Sequence, residues 1–334
     1  MVSATDIPAT MRALWQPSLS GPRHMRLIAD APVPEPGLGE VLIKVTAAGV
    51  NFADVMRSNG TYGGGPVAPY LPGLEAVGQI VRLGAEVTAL ERGNRVVGAG
   101  YGAFAEYMVL RAAGVAPVPA GWTDEQALGL IMNWVTALAA LKTLGRIAAG
   151  EVVLIHAAAG GVGQAAVRLA KHFGATVIAS ASAGKHDAVR ALGADHVLDH
   201  GSADLAAEVL RQTDGRGADL VLESVGGESF RASVTAAKRV TGRVVVYGVA
   251  GGEATISNWE LNFRHQIHVI GLHIGVLIEH SPQIFAELMT ELSALIAAGV
   301  LPPGQPSVHD LADGPRVLAE LEARATIGKL ALRP

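Results

Sequence analysis

The stretch IHAAAGGVGQAAVRLAK, Ile155 to Lys171, decides the fold. A strand-like run, Glu151 to Ile155, feeds a cluster of glycines and then an alanine-rich segment with helical spacing. Laid over the pattern G-x-G-x-x-G, Gly160 and Gly163 take the second and third glycine positions, and Ala158 stands at the first. The missing side chain at Gly160 lets the backbone approach a pyrophosphate, whose charge meets the N–H groups at the helix start. Gly163 lets the helix pack closely on the strand. Ala159, Gly160, Gly161, Val162 and Gly163 are therefore the candidate phosphate cradle. Taken alone, the same residues also describe a plain tight turn. What separates the two readings is a strand before, a helix after, and a longer βαβ series around them.

That series is present. From Glu151 the chain alternates EVVLIHA, TVIAS, HVLDH, ADLVLESV, GRVVVYG and HVIGLHI with helical stretches such as GKHDAVRALG, LAAEVLRQT and SFRASVTAAK. Strands separated by helices of about 10–15 residues predict a doubly wound parallel sheet. Toward the N-terminus the texture differs: EVLIKVTAAGV, AVGQIVRLG, NRVVGAG and AEYMVL are short β-like runs divided by turn signals. TDEQ at Thr123–Gln126 reads as a capping box that opens a helical run to Leu144, with Gly145 as its stop. Beyond about residue 275 come an amphipathic helix, a proline-rich loop, a further helix around GPRVLAELEA and a short strand, GKLALRP. That tail is too small to fold alone. The expected division is a β-rich domain over 1–126, a nucleotide domain over 127–270, and a return of 271–334 to the first domain.

The end of the second strand of the series tests which dinucleotide is bound. An NAD site places an acidic residue about 20 positions on, where it accepts hydrogen bonds from the ribose hydroxyls. Here the count from Gly160 reaches Ser180, in IASASAGKHD, with no acid there. Ser180 and Ser182 are small donors, Lys185 brings positive charge, and His200 ends the following strand. Small donors with a cation suit a 2′-phosphate, so NADPH is the expected cofactor. The plainer alternatives are a solvated lysine at a helix start and a surface histidine. Gly226 and Gly227 in ESVGG, and Gly248, Val249, Ala250 and Gly251 in YGVAGG, end later strands on the edge of the sheet where ligands of such folds bind.

Bulk composition narrows the remaining classes. At 334 residues two domains are the default. Half of the residues are hydrophobic and 17% are charged, as in a well-buried globular protein. A net charge of −4 offers no electrostatic case for nucleic acid or an anionic membrane. The absence of cysteine removes disulfides, thiolate nucleophiles and cysteine-based metal sites. The opening residues, MVSATDIPATMRALWQ, have no apolar core of signal-peptide length, and runs such as HVIGLHIGVLI fall short of the ~20 residues that cross a bilayer. A cytoplasmic protein is expected. The histidine pairs His265/His268 and His196/His200 lack the helical spacing and carboxylate of a metal motif, so no metal site is expected.

A late glycine turn behind a β-rich domain resembles the medium-chain dehydrogenase/reductase superfamily. AAGVNFADVMRSNGTY (47–62), PYLPGLEAVGQIV (69–81), AAAGGVGQAA and ARATIGKLAL are similar to its quinone oxidoreductase and zeta-crystallin branch. The resemblance covers nearly the whole chain and implies a GroES-like catalytic domain joined to a Rossmann nucleotide domain. Where zinc-dependent relatives carry a cysteine and a histidine as metal ligands, Asn51 and Leu74 stand here, so the resemblance implies a zinc-free member. It also places Asn51, Asp54 and Tyr62 on the segment facing the nicotinamide, as catalytic candidates. The alternatives are a turn-stabilising asparagine, a loop-ordering carboxylate and an aromatic lid. Thr136 matches a position at the nicotinamide or its ribose, its alternative being a helix threonine bonded to its own backbone. Leu272 and His273 fall near the carboxamide, and Arg324 near the adenosine phosphate.

The implied activity is NADPH-dependent hydride transfer to a quinone or to the β-carbon of an α,β-unsaturated carbonyl. Enoyl-thioester reduction in a biosynthetic pathway and a non-catalytic NADPH-binding role are the alternatives. The apolar run HVIGLHIGVLI should form an edge strand, and an exposed apolar edge invites pairing. The branch commonly forms homodimers at that edge of the Rossmann sheet.

Overall fold

The computed structural model describes residues 7–202 and 204–334. The reading of the opening residues falls partly on 1–6, outside the described residues. Two compact units divide the chain: Met1–Met132 with Pro303–Pro334, and Asn133–Pro302.

The first unit is β-rich. Its strands are β1 (Thr10–Trp15), β2 (Arg26–Pro32), β3 (Glu40–Val50), β4 (Glu75–Leu83), β5 (Arg95–Ala99), β6 (Tyr107–Arg111) and β7 (Val115–Pro117). The long strand β3 is the spine, pairing antiparallel with β4 along most of its length and with β6 on its other side. Alternate side chains of these strands meet around Ile43, Ile80, Val96, Phe104, Met108 and Leu110, all buried. Burying each such side chain contributes about 1.5–3 kcal/mol.

The second unit carries six parallel strands: β8 (Val152–Ile155), β9 (Thr176–Ala181), β10 (His196–Asp199), β11 (Leu220–Glu223), β12 (Arg243–Val246) and β13 (His268–Gly271). Their order is β10-β9-β8-β11-β12-β13. This is the doubly wound order, with the chain starting in the middle and reversing direction at β8. Val, Leu and Ile fill the short strands because helices cover the sheet. Leu154, Ile178, Val221 and Val244 are buried against Val209, Phe230 and Val234. Arg243, 9% exposed, donates to the carbonyls of Gly145, Arg146 and Asp219 and to Glu151 Oε1, pinning a helix end to the sheet.

The return to the first unit begins at Pro303, so the expected boundary at 271 is corrected. The helices Ile274–His280 and Pro282–Ala297 stay with the second unit, where Glu291 pairs with Lys142. The helix Gly314–Glu322, the short turn Leu311–Asp313 before it and the strands β14 (Ser307–Asp310) and β15 (Leu330–Arg333) go back, giving the order β14-β15-β3-β4-β5-β7.

Two further expectations are revised. The capping box at Thr123 forms, with Thr123 N–H on Gln126 Oε1 at 2.8 Å, but its helix stops at Ala127. Leu128 is extended and Gly129 has φ of 90°; the chain then resumes as π- and α-helical turns through Leu144. Residues Asp124–Leu144 are long and apolar enough to span a bilayer, unlike the runs considered above, yet 72% of their most apolar 18-residue stretch is buried inside the protein. The second revision concerns HVIGLHIGVLI: its strand ends at Gly271, and Ile274–His280 is helical behind an N-cap bond from Val276 N–H to His273 Nδ1.

Candidate functional site

In the second unit the candidate cradle forms as the glycines require. β8 ends at Ile155, and Ala157 turns with φ of 48°. The helix Gly161–His172 then starts behind Gly160. A Cβ on Gly163 would lie 2.6 Å from Ala158 Cα, so only glycine permits this closeness of helix to turn. Gly160 differs. The nearest atom to a Cβ there is Ala157 O at 3.3 Å, a tight contact but a far milder one than at Gly163. The first-turn N–H groups beyond it lack intrahelical acceptors, as at any helix start.

The other expected cofactor residues gather at the carboxyl ends of the same strands. The loops after β11 and β12 are joined by Ala250 N–H to Ser224 O and Gly227 N–H to Gly252 O. This brings Gly226, Gly227 and Gly248–Gly251 together. Leu272 follows β13, its N–H on Val246 O, and His273 is next. Thr136 is buried at the start of the α-helical turn Thr136–Leu138. At the end of β9, Lys185 N–H meets Ser182 O at 2.8 Å and His200 N–H meets Ala181 O at 3.1 Å, which clusters these three residues.

Ser180 does not join that cluster. Strand alternation turns it inward, where it is fully buried with its hydroxyl 3.0 Å from His156 Nδ1. The expectation that it meets a 2′-phosphate is corrected. His156 belongs to a buried polar network: Ser233 Oγ lies 2.9 Å from Nε2, and Ser229 Oγ 3.3 Å from Nδ1. Both serines donate to Glu223. Glu223 Oε1 in turn accepts from the backbone N–H groups of Val225 and Gly226 and so shapes the loop after β11. Burial pushes the His156 imidazolium below its usual pKa, so the ring is neutral at physiological pH. Nothing in local sequence spacing signalled this network, which joins three strand ends and a helix.

In the first unit, β3 delivers Asn51 as N-cap of the helix Phe52–Ser58. Asp54 is 1% exposed; Oδ2 accepts the Asn51 N–H at 2.9 Å, and burial raises its pKa to about 7. Arg57, 9% exposed, lies 4.8, 5.8 and 6.0 Å from the ring centres of Tyr101, Tyr62 and Tyr70, within cation–π range. Burial raises the Tyr62 pKa, so its phenol keeps its proton and can donate. Arg57, Tyr70 and Tyr101 were not expected; only Tyr62 carried a sequence signal. Glu75 and Lys329, 2.5 Å apart, complete the group around Asn51. Arg324 lies exposed on this unit, after the helix Gly314–Glu322. Leu74 follows Gly73 into β4, and its carbonyl accepts from Gly100 N–H. Among the described residues no three His, Cys, Asp or Glu side chains converge as a metal site.

A unit of six parallel strands with a glycine turn, joined to a GroES-like β unit, defines an oxidoreductase of the medium-chain dehydrogenase/reductase class. Sequence-family matches agree: an alcohol dehydrogenase GroES-like domain over residues 37–120 and a zinc-binding dehydrogenase domain over 161–294. A mycobacterial protein solved with NADPH superposes with a TM-score of 0.91 at 32% identity, covering 97% of this chain and 100% of its own. Escherichia coli quinone oxidoreductase complexed with NADPH gives 0.90 at 29% identity, with 97% and 100% covered. The chain belongs to the medium-chain dehydrogenase/reductase superfamily, in its quinone oxidoreductase branch. It is also 35% identical over 286 residues to a phenolphthiocerol/phthiocerol polyketide synthase subunit of Mycobacterium tuberculosis. That match takes in 84% of this chain but only 13% of the synthase.

Proposed function

We propose that this chain is an NADPH-dependent, zinc-independent reductase that adds hydride to a quinone or to the β-carbon of an α,β-unsaturated carbonyl. The observation that carries the reading is the contrast between the two glycines of the turn. Gly163 is required by backbone packing within the protein, whereas at Gly160 a Cβ would press on one atom only, Ala157 O at 3.3 Å, on the turn where a pyrophosphate would approach the backbone. The donor chemistry at the end of β9 supports the phosphorylated cofactor. Ser182, Lys185 and His200 cluster there with no acid on β9 itself, and the carboxylate of Asp199 faces His200 Nδ1 at 3.5 Å.

NADPH, when bound, would supply the hydride. The first-turn N–H groups of the helix Gly161–His172 would hold its pyrophosphate, and the loops after β11 and β12 would wall the site. Asn51 Nδ2 and the Tyr62 hydroxyl donate to the substrate carbonyl oxygen, where negative charge develops. Asp54, whose Oδ2 accepts the Asn51 N–H, orders the segment that presents Asn51, and solvent supplies the proton that completes the reduction. Among its described residues the first unit offers donors and no grouped metal ligands, and activity that survives a chelator is the corresponding expectation. The second reading, reduction of an enoyl thioester, is supported by the likeness to the polyketide synthase.

NADPH oxidation assayed with 1,2-naphthoquinone, an enone and crotonyl-CoA separates the readings. Turnover of quinone or enone above the thioester is expected. Preference for crotonyl-CoA would favour the second reading, and no turnover of any acceptor would leave only a binding protein.

We also propose a homodimer through the β13 edge of the parallel sheet. Val269 on β13 is 37% exposed, and a groove of about 720 Å³ beside it is lined by Val240, Trp259, Phe263 and Ile267.

A further inference from the structure

Three segments far apart in sequence meet around one side-chain amide. Lys329 Nζ, just before β15, lies 2.8 Å from Asn51 Oδ1 and 2.5 Å from Glu75 Oε2. Glu75 is fully buried, and its other oxygen accepts from Gly129 N–H at 2.7 Å. Antiparallel pairing of Leu330 with Val50 sets Lys329 beside the end of β3. β3 also makes room for it: a Cβ on Gly49 would overlap Glu75 Oε2 and come within 2.9 Å of Lys329 Cε.

Stability alone does not account for this pair. Burying an ion pair costs desolvation that its attraction often fails to recover, and apolar replacements are commonly neutral or better. Its effect on Asn51 is specific. An ammonium carries donors only, so the amide atom facing it is the oxygen. One Nδ2 hydrogen then goes to Gly49 O at 3.2 Å, which leaves the second free to donate. Asn51 is moreover an N-cap, where an asparagine oxygen ordinarily accepts from its own helix. Here the side chain keeps its capping-box position over the Asp54 N–H without a full hydrogen bond to it, and the bond that oxygen does make is from Lys329 Nζ at 2.8 Å.

We infer that the Lys329–Glu75 pair is a positioning device that fixes the Asn51 amide with its oxygen inward and one Nδ2–H available to a substrate carbonyl. This rests on the reading of Asn51 as the carbonyl donor. Lys329 acts through Asn51 and does not itself touch the substrate. Without the ammonium the amide can rotate and present its oxygen, which repels the charge developing on an enolate.

The test measures kcat and KM for an enone at saturating NADPH. Lys329→Met is expected to lower kcat roughly ten-fold, less than the 10²–10³ of a dominant donor. NADPH affinity should be unchanged, Lys329→Arg should restore most of the rate, and Gly49→Ala, which displaces the pair with charges intact, should reproduce the loss. In an Asn51→Ala background Lys329→Met should have no further effect. Multiplying effects in the double variant, or wild-type rates in Lys329→Met, would overturn the inference. An NMR measurement decides the positioning independently of turnover. The Asn51 side-chain amide resonances, assigned by their loss in Asn51→Ala, should shift and exchange faster with solvent in Lys329→Met. Resonances indifferent to that substitution would overturn the inference even in an active enzyme. A wild type inactive on every acceptor would instead sink the functional reading and leave the positioning to the NMR result.

Discussion

Asp54 Oδ2 accepts the Asn51 backbone N–H at 2.9 Å, while Oδ1 of the same carboxyl is buried with no hydrogen-bond partner. A carboxylate so placed is poorly solvated, and burial outweighs the nearby positive charges of Lys329 and Arg57, so its pKa rises from 3.8 to about 7. Between those two values the folded state holds a proton that the unfolded chain has released. Folding stability contributed by this group therefore falls as pH rises from about 4 to 7, by on the order of 4 kcal/mol in full. Asp54→Asn keeps an acceptor for the Asn51 N–H and removes the titration. Denaturation curves across that range should show the variant gaining on wild type as pH rises; parallel curves would contradict the assignment.

Cofactor choice separates Ser180 from its neighbours. NADPH is expected to bind at least ten-fold tighter than NADH, and Lys185→Ala should narrow that ratio. Ser180→Ala should leave the ratio alone and instead destabilise the fold by about 1–3 kcal/mol, because the His156 ring loses a buried partner. Fluorescence titration of both cofactors, with denaturant melts, distinguishes the two. A ratio changed by Ser180→Ala but not by Lys185→Ala would reverse the account.

The two glycines of the turn should also dissociate. Gly163→Ala forces backbone apart and should cost about 1–3 kcal/mol of stability along with cofactor affinity. Gly160→Ala asks the Ala157 carbonyl to give by only a few tenths of an ångström and should cost far less stability than Gly163→Ala while binding NADPH at least ten-fold more weakly. Equal melting losses in both variants would remove the argument that the space at Gly160 serves a ligand.

Edge pairing through β13 is expected to give a dimer by light scattering at micromolar concentration. Val269→Lys, which puts a charge on the edge strand, should shift the population toward monomer without altering NADPH affinity. A monomeric wild type would contradict it.

Much of this was legible in the sequence because it is local. The glycine turn, the strand–helix alternation and the Thr123 capping box each depend on residues within a few positions of one another. What escaped depends on pairing across distance. The face on which Ser180 lies follows from the register of β9, and its partner His156 sits just past the end of the neighbouring strand β8. Gly129 interrupts an apolar run that reads as one continuous helix, and its N–H is taken by Glu75, far away in the chain. Lys329 sits in a motif that was recognised, ARATIGKLAL, yet its role depends on β15 folding back beside β3. Residues 271–302 remain with the second unit through contacts such as Lys142–Glu291 that no local pattern announces.

The central claim is hydride transfer from NADPH to an activated carbon. Wild-type protein given an enone and NADPH deuterated at both positions of nicotinamide C4 tests it most directly, with the product read by NMR. Deuterium on the β-carbon of the saturated ketone is the expected result. An unlabelled product, or no reduction of either enone or quinone by protein that binds NADPH, would contradict it.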